Sequence, residues 1–183
     1  MADPIMIPDA TTEPEAYVAA LLRTLGDRDP LAVYEQTSDE VRRRCQDLDR
    51  DGWTTPMAHG EWSALQLVGH LFDVDVVYGF RWRLALTDDT PTYPGYNEKA
   101  WSRLARPALP RLLDALAGLR LANTALLRSL DERDLRRRGV HGEQGSEDVQ
   151  RMIDKVAGHD LAHLDQLRRT IAAVQPGSTS PTS

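Results

Sequence analysis

The chain has 183 residues, 41% of them apolar and 27% charged, which places it among ordinary globular domains and outside the disordered class. Its 22 basic residues against 28 acidic ones leave a net charge of −6, the wrong sign for a duplex-binding surface, so nucleic acid is not an expected partner. The single cysteine, Cys45, excludes an internal disulfide and any cysteine-cluster zinc site, no apolar run reaches the length of a membrane span, and the acidic, proline-containing start MADPIMIPDA lacks the pattern of a secretory signal, so a cytoplasmic protein without membrane contact is expected.

Helical periodicity dominates between an irregular N-terminus (1–12) and a polar, Pro-containing stretch (175–183) expected to be a disordered tail. An extra N-terminal helix is predicted from Glu13 to Leu25, ended by Gly26. The next begins at Asp29-Pro30, with Asp as N-cap and Pro in the first turn. Its apolar stripe is Leu31, Tyr34, Val41, Cys45 and Leu48, with Ser38 filling the missing step. Arg42, Arg43 and Arg44 form either a solvated face or an anion site. A loop spans 49–60. Ser63 and Gln66 then make a capping box for a helix running to about Leu86, with stripes Leu67, His70, Val74, Val77 and Leu65, Val68, Phe72. Residues 87–107 hold Pro91, Pro94, Gly95 and Pro107 and read as a long crossover, which a tight helical hairpin would not need. The next helix, about 107–130, carries the seam Leu109, Leu112, Leu116, Leu119, Asn123, Leu126, Leu130. Asn123 either points at a pocket or fixes helix register. After Arg136-Arg137-Arg138 and a loop through Gly145, Ser146-Glu147-Asp148 open a last helix to about Val174. The pattern predicts an all-α fold: a four-helix bundle occupying 13–174, with a long crossover between its second and third helices.

The chemistry lies in the histidines. The last helix has the inward stripe Val149, Met152, Val156, His159, His163, Leu167, so His159 and His163 stand one turn apart on one face, about 6 Å from each other. Two imidazoles at that spacing chelate one transition metal with little strain. His70 sits in the inward stripe of another helix and completes a three-imidazole set if those helices pack together. Three ligands with a vacant position is the catalytic pattern, not the closed structural one. The alternative is three core histidines, each hydrogen-bonded locally. His-Glu-x-x-His, paired Glu-x-x-His, a Gly-x-Ser-x-Gly elbow, a P-loop and a dinucleotide glycine fingerprint are all absent from the sequence. Asp73, one turn beyond His70, reads as an acceptor for the far N–H of a ligating imidazole, as a base for bound water, or as a surface acid. Asp160 reads as the same kind of acceptor or as a surface acid. Arg81 and Arg83 either bind a substrate carboxylate or are solvated. Tyr78, Trp82, Tyr96 and Trp101 either wall a pocket near the crossover or pack the core. His59 and His141 fall in expected loops.

The segments GEWSALQLVGHLFDVDVVYGFRWRLAL, PGYNEKAW and VAGHDLAHLDQLRR resemble the DinB/YfiT-like superfamily of metal-binding four-helix proteins over residues 29–173. That family's Trp-Ser helix start matches Trp62-Ser63, its single histidine on the second bundle helix matches His70, and its His-x-x-x-His matches His159 and His163. The resemblance implies an up-down-down-up bundle and one divalent transition metal, zinc or nickel, held by His70, His159 and His163. It also implies a thiol S-transferase-like enzyme using a low-molecular-weight thiol, in which the metal stabilises the thiolate. A metal-dependent hydrolase, or a non-catalytic metal-stabilised bundle serving binding or dimerisation, are the alternatives. A small-molecule substrate or thiol is the expected partner, with a homodimer as a further expectation.

Overall fold

Residues 4–175 are described by a computed structural model. In chain order they form α1 (Pro14–Leu25), α2 (Pro30–Cys45), α3 (Arg50–Thr54), α4 (Ala64–Thr87), β1 (Thr92–Tyr93), α5 (Glu98–Trp101), α6 (Leu109–Arg128), α7 (Glu132–Leu135), β2 (Arg138–His141), β3 (Gly145–Asp148) and α8 (Val149–Val174). The expected tail beyond Gln175 lies outside the described residues.

The helix starts follow their residue types. Asp29 accepts from the N–H groups of Leu31 and Ala32, satisfying two donors that α2 leaves open, an arrangement worth about 1 kcal/mol. At α4 the Ser63 hydroxyl accepts from Gln66 N while the Gln66 side chain accepts from Ser63 N, the reciprocal box expected there. The start of α8 is a correction. Ser146-Glu147-Asp148 do not open the helix but form β3, and Asp148 becomes the N-cap, accepting from Arg151 N at 2.8 Å. The expected loop before it is a hairpin, because β2 pairs antiparallel with β3 and parallel with β1 from the crossover, Tyr93 lying opposite His141. Part of the 49–60 loop is also helical, as α3.

The four long helices α2, α4, α6 and α8 form a four-helix bundle. α8 packs on α2 and α4, α6 packs on the same two, and α1 lies along α8. The core divides into two apolar clusters. One holds Val41, Leu67, Leu71, Leu112, Leu116 and Leu167; the other holds Tyr34, Val74, Trp82, Leu127, Met152 and Val156. Each bundle helix contributes buried polar residues near the junction of the two clusters: Thr37 on α2, His70, Asp73 and Asp75 on α4, Arg120 and Asn123 on α6, and His159 and Asp160 on α8. A polar belt therefore crosses mid-bundle. Thr37, not the expected Ser38, is the buried α2 residue there. Among the described residues no helix is long and apolar enough to cross a membrane.

Candidate metal centre

His70 from α4 and His159 and His163 from α8 converge. One ring nitrogen from each lies within 4.8 Å of the other two. The Nε2 atoms of His70 and His159 are 2.9 Å apart, and the ring centroids of His159 and His163 are separated by 4.2 Å. His70 and His159 are buried and His163 is half-buried. Burial pushes all three imidazoles below their ordinary range, His163 to about 4, so at neutral pH each ring is uncharged and has a free lone pair. Among the described residues only His163 has a hydrogen-bond partner outside the cluster: its Nδ1 lies 2.9 Å from Gln166 Oε1. A carbonyl oxygen can only accept, so Nδ1 carries the proton and Nε2 is left as the donor atom for an ion. His159 Nδ1 is buried with no partner among the described residues. Three locally satisfied core histidines would not look like this. Three neutral nitrogen donors facing one point fit a late first-row divalent ion. Trp62 closes one side, its ring 4.8 Å from that of His70 and stacked 6.2 Å from that of His163.

Two cavities meet at this cluster. The larger, about 740 Å³, is lined by His159, His163, Trp62 and Gln166 together with the N-terminal residues from Ile5 to Ala10. The smaller, about 420 Å³, runs from His159 past Val156 and Val74 to Tyr78, Arg81 and His141. The N-terminal segment crosses the region where they join, anchored by Ile5 N donating to Asp165 Oδ2 at 3.3 Å.

The other expected residues separate. Asp73 does not hydrogen-bond any of the three imidazoles. Both its oxygens are held by Arg106, through Nη1 at 2.8 Å and through Nη2. Arg106 also donates to Trp101 O at 3.1 Å, so the pair ties the crossover to α4 beside His70. Asp160 is not a surface acid: it is fully buried and, with Asp75, clamps Arg120. Asn123 lines neither cavity; it donates to Asp75 O at 3.1 Å and accepts from Arg83 Nη1 at 3.0 Å, both on α4, and so ties α6 to α4. Arg83 is exposed, whereas Arg81 is buried in the wall of the smaller cavity. Tyr78 and Tyr96 line that cavity, Trp82 is wholly within the core, and Trp101 packs on Tyr96. His59 is exposed and His141 is buried. The arginine run on α2 is an ion-paired surface, with Glu40 holding Arg43 and Arg44 and Asp114 holding Arg42. Gln166, Arg106, Arg120 and the buried Lys155–Glu147 pair were not expected. Only Gln166 carried a readable signal, a polar side chain one turn beyond a candidate ligand.

The family model of the DinB superfamily matches residues 34–167. A protein of Bacillus mycoides (strain KBAB4) named "Putative metal-dependent hydrolase" is 32% identical over 160 residues, covering 85% of this chain and 92% of its own length. One of Bacillus cereus (strain ATCC 10987 / NRS 248) with the same designation is 32% identical over 142 residues, 75% of this chain and 82% of its own. The solved structure of YfiT from Bacillus subtilis, described as "a probable metal-dependent hydrolase with an unusual four-helix bundle topology", superposes with a TM-score of 0.70 at 24% identity, covering 90% of this chain and 91% of its own.

Proposed function

The chain belongs to the DinB superfamily, and from that premise we propose that it is a metal-dependent hydrolase of small organic substrates, with His70, His159 and His163 holding one divalent transition metal, zinc or nickel. The observation that carries this reading is the convergence of three uncharged imidazoles, from two helices, beside two cavities. The names given to the relatives support hydrolysis ahead of the thiol transfer implied by the sequence resemblance. Burial keeps the three rings neutral, and Gln166 directs His163 Nε2 inward. Trp62 walls one side of the cluster, and the cavities admit substrate from the others. A divalent ion held there by His70, His159 and His163 would supply Lewis acidity to a bound substrate or water.

A thiol S-transferase is the second reading. It is favoured by the two cavities that share His159, since a thiol and an electrophile need separate approaches to one centre. Elemental analysis of freshly purified protein is expected to return about one zinc or nickel per chain. His159→Ala is expected to abolish it while the helical circular dichroism is retained. Stoichiometric metal in that variant would overturn the ligand assignment. Turnover of esters, amides or lactones without added thiol supports hydrolysis; turnover only with a thiol and an electrophilic acceptor selects the second reading.

A further inference from the structure

The smaller cavity contains a cation that the fold does not neutralise. Arg81 is 3% exposed, yet among the described residues no carboxylate lies within ion-pairing distance of it. One of its N–H groups, on Nη2, donates to Pro94 O at 2.8 Å. The guanidinium lies 4.9 Å from the Tyr93 ring centroid and 5.2 Å from that of Tyr78, so its orientation is fixed by stacking. The two other cations of the cavity wall are occupied. Lys155 donates to Glu147 and to Gln144 Oε1, and Lys99 stands 4.0 Å from Asp9. A buried charge without an opposite charge beside it is costly, and a ligand that supplies the opposite charge relieves that cost.

His141 adds a second donor to the same wall. Its Nδ1 accepts from the backbone N–H groups of Glu143 at 3.1 Å and Gln144 at 3.3 Å. The ring's proton therefore resides on Nε2, which can only donate. Arg81 and His141 are both buried, whereas the carboxylates lining the cavity are more exposed: Asp9 and Glu143 are open to solvent and Glu98 is half-buried. Donors thus lie deep and acids near the mouth. Between Arg81 and the three-histidine cluster the wall is apolar and aromatic, through Val74, Val156 and Tyr78. Helical side chains lean toward the N-terminus of their helix, so Arg81 leans back along α4 toward His70.

The geometry points to a carboxylate-binding subsite at Arg81 and His141, so that the substrate is a small, otherwise apolar carboxylic acid anion with its reactive group at the His159 end of the cavity. This deepens the hydrolase reading by naming the substrate class, and only the orientation of the substrate rests on that reading. A planar guanidinium with free N–H groups matches a carboxylate in two-point contact. A cavity of about 420 Å³ is of the size that encloses a small ligand.

The test is calorimetric titration of the purified protein, as isolated and after metal removal with a chelator. The probes are phenylacetate and 3-phenylpropanoate, each compared with its primary amide, with inorganic phosphate in parallel. The acids are expected to bind about tenfold or more tighter than the amides, the scale of one charge-assisted hydrogen bond. That preference is expected to survive metal removal. Arg81→Met is expected to bring acid and amide within about threefold of each other, and Arg81→Lys to keep part of the preference. Thermal unfolding checks that the variants fold, and the comparison of acid with amide on the unaltered protein does not depend on them. Equal binding of acid and amide, no binding of either acid, or phosphate binding as tightly as the acids would overturn the carboxylate assignment. Acid binding that disappears with the metal would also overturn it, by assigning the carboxylate to the ion. A protein that holds no metal yet prefers the acids would sink the hydrolase reading and leave the Arg81 subsite standing.

Discussion

Among the described residues, Gln166 alone bonds the His163 ring from outside the cluster and so selects which of its nitrogens faces the other two histidines. Replacing it with leucine keeps the bulk and removes the acceptor, so the ring's tautomer is no longer selected. Gln166→Leu is expected to weaken metal binding by about 10- to 100-fold in a chelator competition, the usual effect of losing a ligand's supporting hydrogen bond, with little change in the melting temperature of the metal-free protein. A second prediction concerns acid. Burial lowers the His141 imidazole to about 4, with Arg81 and Lys155 adding to the effect. The unfolded chain binds that proton near pH 6.5, so between 6.5 and 4 it holds more protons than the native state, and stability falls as pH falls. Each unit of separation is worth about 1.4 kcal/mol, which makes the loss across this window on the order of 2–3 kcal/mol; it is measured by denaturant titration at pH 7 and pH 4 and is expected to shrink in His141→Gln. At this scale the sequence was readable where spacing alone carried the information. The i, i+4 pair His159 and His163 and the inward His70 follow from helical period. Arg81, Asp160 and Arg120 do not, because a charged side chain on a helix is usually solvated, and only the neighbouring helices reveal that these are buried.

A helix can approach another only as closely as its smallest residues allow, and Gly158 sets that limit for α1 on α8. A Cβ at position 158 would meet Leu21 O at 2.1 Å and Leu21 C at 2.7 Å. These are backbone atoms of α1, so no side-chain rotation relieves the clash and the helix itself must shift. Alanine gains about 1 kcal/mol of helix propensity over glycine, while overpacking costs about 1–3 kcal/mol, more where backbone must move. Gly158→Ala is therefore expected to lower stability, read as a lower melting temperature, and to disturb ligand binding, since Tyr17 and Leu21 of α1 line the smaller cavity. A variant as stable as the parent would show that α1 does not dock this closely. The element pattern of the sequence was clearest where apolar period and caps agreed, as at α2 and α4. It failed at the β2–β3 hairpin, whose segments RGVH and GSED lack the apolar alternation that marks a strand. The two strands pair with each other, and they are held to the rest of the fold by the pairing of β2 with β1, by Tyr93 donating to Glu147 and by Lys155 donating to Glu147; the β1 and Tyr93 contacts are distant in sequence. The cavity wall at His141 was invisible for the same reason.

Arg120 joins all four bundle helices. From α6 it donates to Tyr34 O of α2 at 2.8 Å, to Asp75 of α4 at 2.9 and 3.0 Å, and to Asp160 of α8. All three charged residues are almost wholly buried. Burial raises both carboxyl groups and Arg120 pulls them down; for the guanidinium, burial opposes its charge and the two acids outweigh it. Removing the cation alone leaves two buried carboxylates facing each other. Arg120→Met is accordingly expected to cost about 3–5 kcal/mol in denaturant unfolding at pH 7, and a loss below about 1 kcal/mol would show the network to be solvated in solution. Neutralising the acids in the same background, with Asp75→Asn and Asp160→Asn, should restore part of the loss, because the penalty is the unpaired charge and not the missing bulk. The comparison that separates stability from positioning replaces all three together: Arg120→Met, Asp75→Leu and Asp160→Leu. A well-packed apolar substitute for a buried ion cluster is often as stable as the original. Asp160 directly follows His159 on α8, so the clamp that fixes Asp160 also fixes the turn carrying that imidazole. If the network positions the metal centre, the triple variant should fold with near-parental stability and bind metal at least about tenfold more weakly. If stability is its whole contribution, the metal affinity should be unchanged. Chelator competition alongside denaturation distinguishes the two, and the course of the polar belt past His159 favours the first.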